Sequence, residues 1–196
     1  MTLASNAGDV ALRRVDELSA EQLIEAARLV RLAMPHFYQP LTDDRAEVLI
    51  AAQLVEPGNE LSDTLCSLCG ESVISIMCAY PAREQADRQR AGLHLLGGAL
   101  DRVEVSRVFE HLQSFREQVG PISARGMYLA RIAIAESYRG TSLASNLLAG
   151  LIETAGDEGV SLHVRADNRR AIALYQRRGF NFVDDEGKDY RIMERR

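Results

Sequence analysis

The chain is poor in cysteine and nearly free of lysine. Its three cysteines, Cys66, Cys69 and Cys78, cannot all pair, and Cys66-x-x-Cys69 lacks a second pair of ligands at a zinc-site spacing. We therefore expect reduced thiols in the core and no metal site. Lys188 is the single lysine among 23 basic residues, which we interpret as a compositional bias toward arginine.

Long apolar runs and an excess of positive charge are absent as well. No uncharged apolar stretch approaches the ~20 residues that span a bilayer. The first residues also lack the basic end and apolar run of a secretion signal. The 28 acidic residues outnumber the 23 basic ones, which disfavours binding to a phosphate backbone. We therefore expect a cytoplasmic protein without membrane or nucleic-acid partners.

The composition and periodicity that are present indicate one mixed α/β domain. Of the 196 residues, 46% are hydrophobic and 26% are charged, which is typical of a globular chain with one core. Apolar residues at helical spacing predict helices, and continuous or alternating apolar runs predict strands. The predicted strands are 10–15, 64–69, 72–80, 127–134, 160–164, 180–183 and 190–193, and the predicted helices are 20–34, 43–55, 142–155 and 169–178, with 82–126 mostly helical.

A turn between a buried strand and a long helix is the first candidate site. The apolar strand 127–134 is followed by Arg139-Gly140 and by a helix that begins near Ser142. The N–H groups of a helix N-terminus are unpaired and attract anions. The sequence has no Gly-Lys-Ser/Thr and no G-x-G-x-x-G, so neither a P-loop nor a dinucleotide site is predicted. A phosphate-bearing ligand such as coenzyme A and an ordinary structural turn remain as alternatives.

A second candidate site is the short helix after the strand 160–164. Asp167 or Asn168 can cap its first turn, and Gly179 suits its C-terminal end. Ala171 and Tyr175 lie one turn apart, so the small residue leaves space beside the phenol. The alternative is structural, with a cap at Asn168 and a ring packed on the sheet at Tyr175.

Together the two segments resemble the GNAT superfamily of acyl-coenzyme-A-dependent N-acetyltransferases. The family's first motif is Arg or Gln, two residues, Gly, one residue, then Gly or Ala, and its places are held here by Arg139, Ser142 and Ala144. Ser142 departs from the usual Gly, and a positive φ would strain a serine there. The resemblance covers residues 127–196 and, more loosely, the first 80. The second motif is matched by Asn168, Ala171, Leu174, Tyr175 and Gly179-Phe180.

The resemblance implies a fold, a reaction and a set of contacts. The expected fold is a single α/β (α+β) domain over 1–196, a mixed, mostly antiparallel sheet flanked by helices. Residues 82–126 would be a helical insertion between the third and fourth strands, and 127–196 the coenzyme-binding and catalytic half. The expected reaction transfers an acetyl group from acetyl-CoA to a primary amine of a small molecule or peptide by direct attack, with Tyr175 protonating the leaving sulfur. The expected coenzyme contacts are Ile132 and Ile134 on the strand edge, Arg139, Gly140, Thr141, Ser142, Leu143 and Ala144 in the turn, and Asn168 and Ala171.

The sequence leaves several alternatives for the general base and for the role of the insertion. The strand 127–134 carries no carboxylate, so Glu71, Glu136 and transfer through water are alternatives. His163 is interpreted as a packed strand histidine. The nearly balanced charges of 82–126 are typical of a solvated helical face, and a cover over the acceptor site and a homodimer contact are the other interpretations.

An acidic loop near the C-terminus suggests a preference for the acceptor. Residues 184–189 hold four acids and one base, and in the resembled family this loop often borders the acceptor cleft. We therefore hypothesise that Asp184 and Asp185 attract a cationic amine, with a solvated turn as the alternative. The alternative to an enzyme is a non-catalytic, acyl-coenzyme-A-binding regulatory module on the same fold.

Overall fold

The centre of the computed structural model is a seven-stranded sheet. The model describes residues 10–35, 37–38, 41, 43–123, 125–183 and 188–196. Its strands are β1 (Val10–Arg14), β2 (Thr64–Cys69), β3 (Ser72–Pro81), β4 (Met127–Ile134), β5 (Val160–Arg165), β6 (Asn181–Phe182) and β7 (Tyr190–Arg195). Their order is β1-β2-β3-β4-β5-β7-β6, and β4–β5 is a parallel pair among antiparallel neighbours. The predicted mixed, mostly antiparallel sheet is therefore confirmed.

Helices flank the sheet and connect its strands. They are α1 (Ala20–Ala33), α2 (Asp43–Val55), α3 (Gln85–Ala99), α4 (Arg102–Gln118), α5 (Leu143–Ala155) and α6 (Arg169–Arg177). Helix α1 begins with the predicted capping box: the Gln22 N–H donates to the Ser19 hydroxyl at 3.3 Å, and the Ser19 N–H donates to the Gln22 side chain at 3.0 Å. Among the helices in the described ranges, none has the length and apolar character required to cross a membrane.

The core lies in two layers, one on each face of the sheet. Helices α1 and α2 supply Val30 and Ile50 to the first layer. Helix α5 supplies Leu148 to the second layer, which also contains Leu162 of β5. The two layers place the sheet's interior strands between apolar neighbours on both sides, which explains why the β4 segment is almost continuously apolar.

The cysteines are free thiols, as the sequence predicts. Cys66 and Cys78 are buried in the first layer. Burial raises the pKa of Cys66 to about 12 and that of Cys78 to about 11, because an apolar environment disfavours the thiolate. Both side chains therefore stay protonated and act as packing groups at neutral pH.

The insertion between β3 and β4 is fixed over the loop that follows α2. Arg88 of α3 places its Nη2 atom 2.6 Å from Asp63 Oδ2, and its Nη1 atom donates to the Asn59 carbonyl at 3.2 Å. The Gln53 amide of α2 donates to the Gly92 carbonyl at 3.1 Å. These contacts hold α3 against the first-layer side of the molecule.

Strands β4 and β5 begin as neighbours and then separate. Their pairing runs over three positions and ends at Leu129 opposite Leu162. A bulge follows in β4, because Cys78 of β3 pairs with Arg131 while the next residue pairs with Leu129, which leaves Ala130 as the extra residue. The bulge turns Ala130 and Arg131 toward the first layer. The sheet therefore splits at its centre, and the split lies directly beside this bulge.

Candidate functional site

Most of the predicted coenzyme residues line one cavity at the split. This cavity, the split cavity, has a volume of about 510 Å³ and is bordered by the C-terminal end of α1, β4, β5, the turn after β4, α5 and α6. Ser142 and Leu143 are not among the residues that line it. The predicted residues in its wall are Ile132, Ile134, Arg139, Gly140, Thr141, Ala144, Asn168, Ala171 and Tyr175.

The backbone of the turn after β4 is accessible from the split cavity. Gly140 has a φ of +86°, and no heavy atom lies within 4 Å of the position that a Cβ would take. Ser142 has a φ of −73°, so the serine at this departure from the family pattern is not strained. Thr141 orders the turn, since its hydroxyl donates to the Tyr138 carbonyl at 2.7 Å and accepts from the Leu143 N–H at 3.3 Å.

Helix α6 brings a protonated phenol to the same cavity. Asn168 caps the helix by accepting a hydrogen bond from the Ala171 N–H at 3.1 Å. One turn further on, Tyr175 is buried with its ring 5.7 Å from that of Phe180. Burial raises the pKa of Tyr175 to about 12, because the phenolate loses its hydration. The hydroxyl therefore keeps its proton at neutral pH and is able to donate it.

A second cavity shares part of its lining with the split cavity. This covered cavity has a volume of about 350 Å³, and residues of α2, the 59–61 loop, α3 and α4 contribute to its walls. The residues that line both cavities are Met34, Tyr128, Ala130, Arg131 and His163. The junction therefore lies at the bulge of β4 and the first residue of β5 beyond the parallel pairs.

A buried ion pair forms one wall of the junction. Arg131 Nη2 lies 3.6 Å from Glu60 Oε2, and the Arg131 side chain is 4% exposed. Burial alone would lower the pKa of Arg131, but the Glu60 carboxylate reverses the effect and the pKa is raised. Glu60 also accepts a hydrogen bond from the Tyr80 hydroxyl at 2.8 Å. The guanidinium and the carboxylate thus compensate one another inside the protein.

A tyrosine–histidine pair forms the opposite wall. The Tyr128 hydroxyl lies 3.0 Å from His163 Nδ1, and His163 Nε2 lies 2.8 Å from the Gly120 carbonyl oxygen. Because a carbonyl only accepts, Nε2 carries the hydrogen and the Nδ1 lone pair accepts from the Tyr128 hydroxyl in the neutral ring. Burial raises the pKa of Tyr128, so its phenol is protonated. His163 is therefore a junction residue as well as the packed strand histidine that the sequence suggested.

The acids considered from the sequence lie elsewhere or outside the described residues. Glu71 is in the β2–β3 turn beside Gln22, and Glu136 is exposed in the turn after β4. Neither of them lines the split or the covered cavity. Asp184 and Asp185, proposed to attract the acceptor, fall outside the described residues.

The site thus combines a mostly antiparallel sheet that splits beside a bulge with two cavities that share lining residues at the split. Residues 78–180 match the model of the acetyltransferase (GNAT) family. The match covers more than half of the chain, and the protein belongs to this family.

Solved structures share this fold at low sequence identity. An N-acetyltransferase of Staphylococcus aureus aligns with a TM-score of 0.74 and 19% identity over 94% of this chain and 100% of that one. The PaiA N-acetyltransferase of Thermoplasma acidophilum, in complex with coenzyme A, aligns with a TM-score of 0.53 and 15% identity over 95% of this chain and 98% of that one.

A curated relative matches a short segment. An uncharacterized protein of Mycobacterium leprae is 45% identical over 52 residues, which make up 26% of this chain. The match spans 14% of that relative's length.

Proposed function

We propose that the protein is an N-acetyltransferase that transfers the acetyl group of acetyl-CoA to a primary amine. The observation that carries this proposal is the meeting of the two cavities at Tyr128 and His163. A coenzyme in the split cavity and an acceptor in the covered cavity would meet at the junction. Such an arrangement holds two reactants together without either displacing the other.

The split cavity has the chemistry that coenzyme A requires. The exposed guanidinium of Arg139, the open backbone at Gly140 and the start of α5 suit a pyrophosphate. The edge of β4 at Ile132 and Ile134 suits the pantetheine arm, because β5 no longer pairs with β4 there. The coenzyme A complex of the Thermoplasma acidophilum relative supports the same assignment.

Direct attack by an amine requires one group to take up a proton and another to supply one. Tyr128 accepts the amine proton as it passes its own hydroxyl proton to Nδ1 of His163. Tyr175 donates its proton to the sulfur as the carbon–sulfur bond breaks and the carbon–nitrogen bond forms. One proton thus moves from nitrogen to His163 and another from Tyr175 to sulfur, and solvent restores both residues.

The proposal is tested by coenzyme A binding and by thiol release from acetyl-CoA with a panel of primary amines. Arg139→Glu should weaken coenzyme A at least tenfold, about 1.4 kcal/mol, because it reverses the charge beside the pyrophosphate. Arg107→Glu on α4 is the matched control, since that exposed arginine lines neither cavity. Equal affinities in the two folded variants would contradict the coenzyme site. Binding without turnover of any amine would favour the regulatory module instead.

A further inference from the structure

The covered cavity is lined by apolar side chains together with the amide side chains of Gln53, Asn59, Gln85 and Gln89, and the insertion supplies much of its wall. Leu93 and Leu96 of α3 and Leu112 of α4 line the cavity together with Leu61 and Phe37. Its volume of about 350 Å³ is more than twice that of the ~150 Å³ apolar cavity that holds benzene. The space therefore suits a small organic molecule with an apolar body.

The charges in the covered cavity are already balanced. Among the described residues that line it, Glu60 supplies the carboxylate and Arg131 the guanidinium, and the two form an ion pair. The Glu60 carboxylate also accepts from the Tyr80 hydroxyl and from the Gln89 amide at 3.4 Å. A ligand with a second permanent cation would meet no unpaired carboxylate there, and burying that cation without a partner is costly.

We propose that the acceptor is a primary monoamine with an uncharged, apolar body, and that this body occupies the covered cavity. This inference rests on the proposed N-acetyltransferase function. The amine nitrogen lies at the Tyr128 and His163 end, and the hydrocarbon contacts Leu93, Leu96 and Leu112. The reacting nitrogen loses its ammonium proton to solvent before it attacks as the neutral amine, whereas a second ammonium would remain charged among these leucines. The insertion is thereby a specificity element for an apolar amine.

A comparison of two acceptors of similar length tests this proposal against the preference for cationic amines that Asp184 and Asp185 led us to expect. Hexylamine and 1,6-diaminohexane share a six-carbon chain and differ in the second amine. We expect kcat/KM for hexylamine to exceed that for 1,6-diaminohexane at least tenfold, because the diamine buries an unpaired cation. An equal or larger kcat/KM for the diamine overturns the proposal and favours the cationic preference.

A substitution in the cavity wall tests the location. Leu93→Asn replaces one apolar side chain of the cavity wall by a polar side chain of similar size. Because hexylamine then loses an apolar contact, we expect about a fivefold to tenfold loss of its kcat/KM. Leu95→Asn is the matched control, since Leu95 is half-buried on the same helix and does not line the cavity. Equal effects of the two substitutions overturn the assignment of hexylamine to this cavity.

A binding measurement separates this proposal from the proposed function. Calorimetric titration of hexylamine into the protein with coenzyme A should show binding that Leu93→Asn weakens and Leu95→Asn does not. If that binding occurs without acetyl transfer, the proposed function fails and the ligand class of the cavity stands. If acetyl transfer occurs but hexylamine is no better than the diamine, the function stands and the ligand class fails. Absence of hexylamine binding overturns the ligand class directly.

Discussion

Individual side chains at the junction are held in defined protonation states by their partners. The Gly120 carbonyl fixes the hydrogen of His163 on Nε2, which leaves Nδ1 to the Tyr128 hydroxyl. Burial keeps Tyr128 and Tyr175 protonated. Tyr128 and His163 therefore form a hydrogen-bonded pair at the junction, and Tyr175 brings a protonated phenol to the wall of the split cavity.

Replacing His163 tests the acceptor. In His163→Gln the amide can still accept from the Tyr128 hydroxyl and donate to the Gly120 carbonyl, but it cannot take up a proton at neutral pH. We expect kcat/KM to fall about 10²-fold with coenzyme affinity retained. A wild-type kcat/KM in the folded His163→Gln protein would assign His163 a packing role.

Replacing Tyr175 tests the donor. Because its pKa is raised to about 12, the phenol stays protonated below that pH and its proton remains available across the neutral and mildly alkaline range. Tyr175→Phe keeps the ring against Phe180 and removes the proton, so kcat should fall about 10² to 10⁴-fold. Coenzyme affinity and the free energy of unfolding should change little, and a wild-type kcat would exclude the role.

Two glycines at the paired end of β4 and β5 allow the strands to start side by side. Gly126 has a φ of +71°, and a Cβ there would lie 2.2 Å from the Gly159 carbonyl oxygen. Gly159 has a φ of +80°, and a Cβ there would lie 2.5 Å from the Arg195 carbonyl oxygen. The Met127 N–H donates to the Gly159 carbonyl at 3.0 Å. Strands β4 and β5 are thus in close backbone contact where they start, and they separate only further along the sheet.

The element-scale prediction compares two glycines with positive φ. Gly126→Ala combines a positive φ with a clash against backbone, whereas Gly58→Ala, at φ +79°, meets no heavy atom within 4 Å. Gly58→Ala should cost about 1–2 kcal/mol from backbone conformation alone. Gly126→Ala should cost at least about 2 kcal/mol more, because its clash requires β4 to move away from Gly159. Chemical denaturation measures both, and equal losses would refute the close contact.

The elements that periodicity and local motifs define could be predicted from the sequence. The strand 127–134 and the helix start at Ser19 follow from short-range patterns. The division of the insertion into α3 and α4 was missed, although Asp101 and Glu104 form a capping box at the start of α4. Glu60 and Tyr128 come together with His163 only through the tertiary fold, because the chain places them far apart in sequence. No spacing pattern predicts such a meeting.

At the scale of the whole molecule, ligand binding should couple the two sides of the split. Coenzyme A would contact β4 and α5 on one side and α6 on the other, and these elements meet around the split cavity. A ligand that binds the native state alone, at 100 times its Kd, raises the free energy of unfolding by about 2.7 kcal/mol. For a chain of this size that corresponds to a rise in Tm of about 5–10 °C.

The Arg139→Glu variant tests whether the rise in Tm depends on coenzyme A binding at the turn after β4. If the substitution weakens coenzyme A tenfold, the same concentration is only about 10 times the new Kd, and the stabilisation falls to about 1.4 kcal/mol. The rise in Tm should therefore be about half that of the wild-type protein, while the Arg107→Glu variant should show the full rise. Differential scanning calorimetry at a fixed coenzyme concentration measures all three. Identical rises in the Arg139→Glu and Arg107→Glu proteins would mean that coenzyme A binds without using the turn after β4.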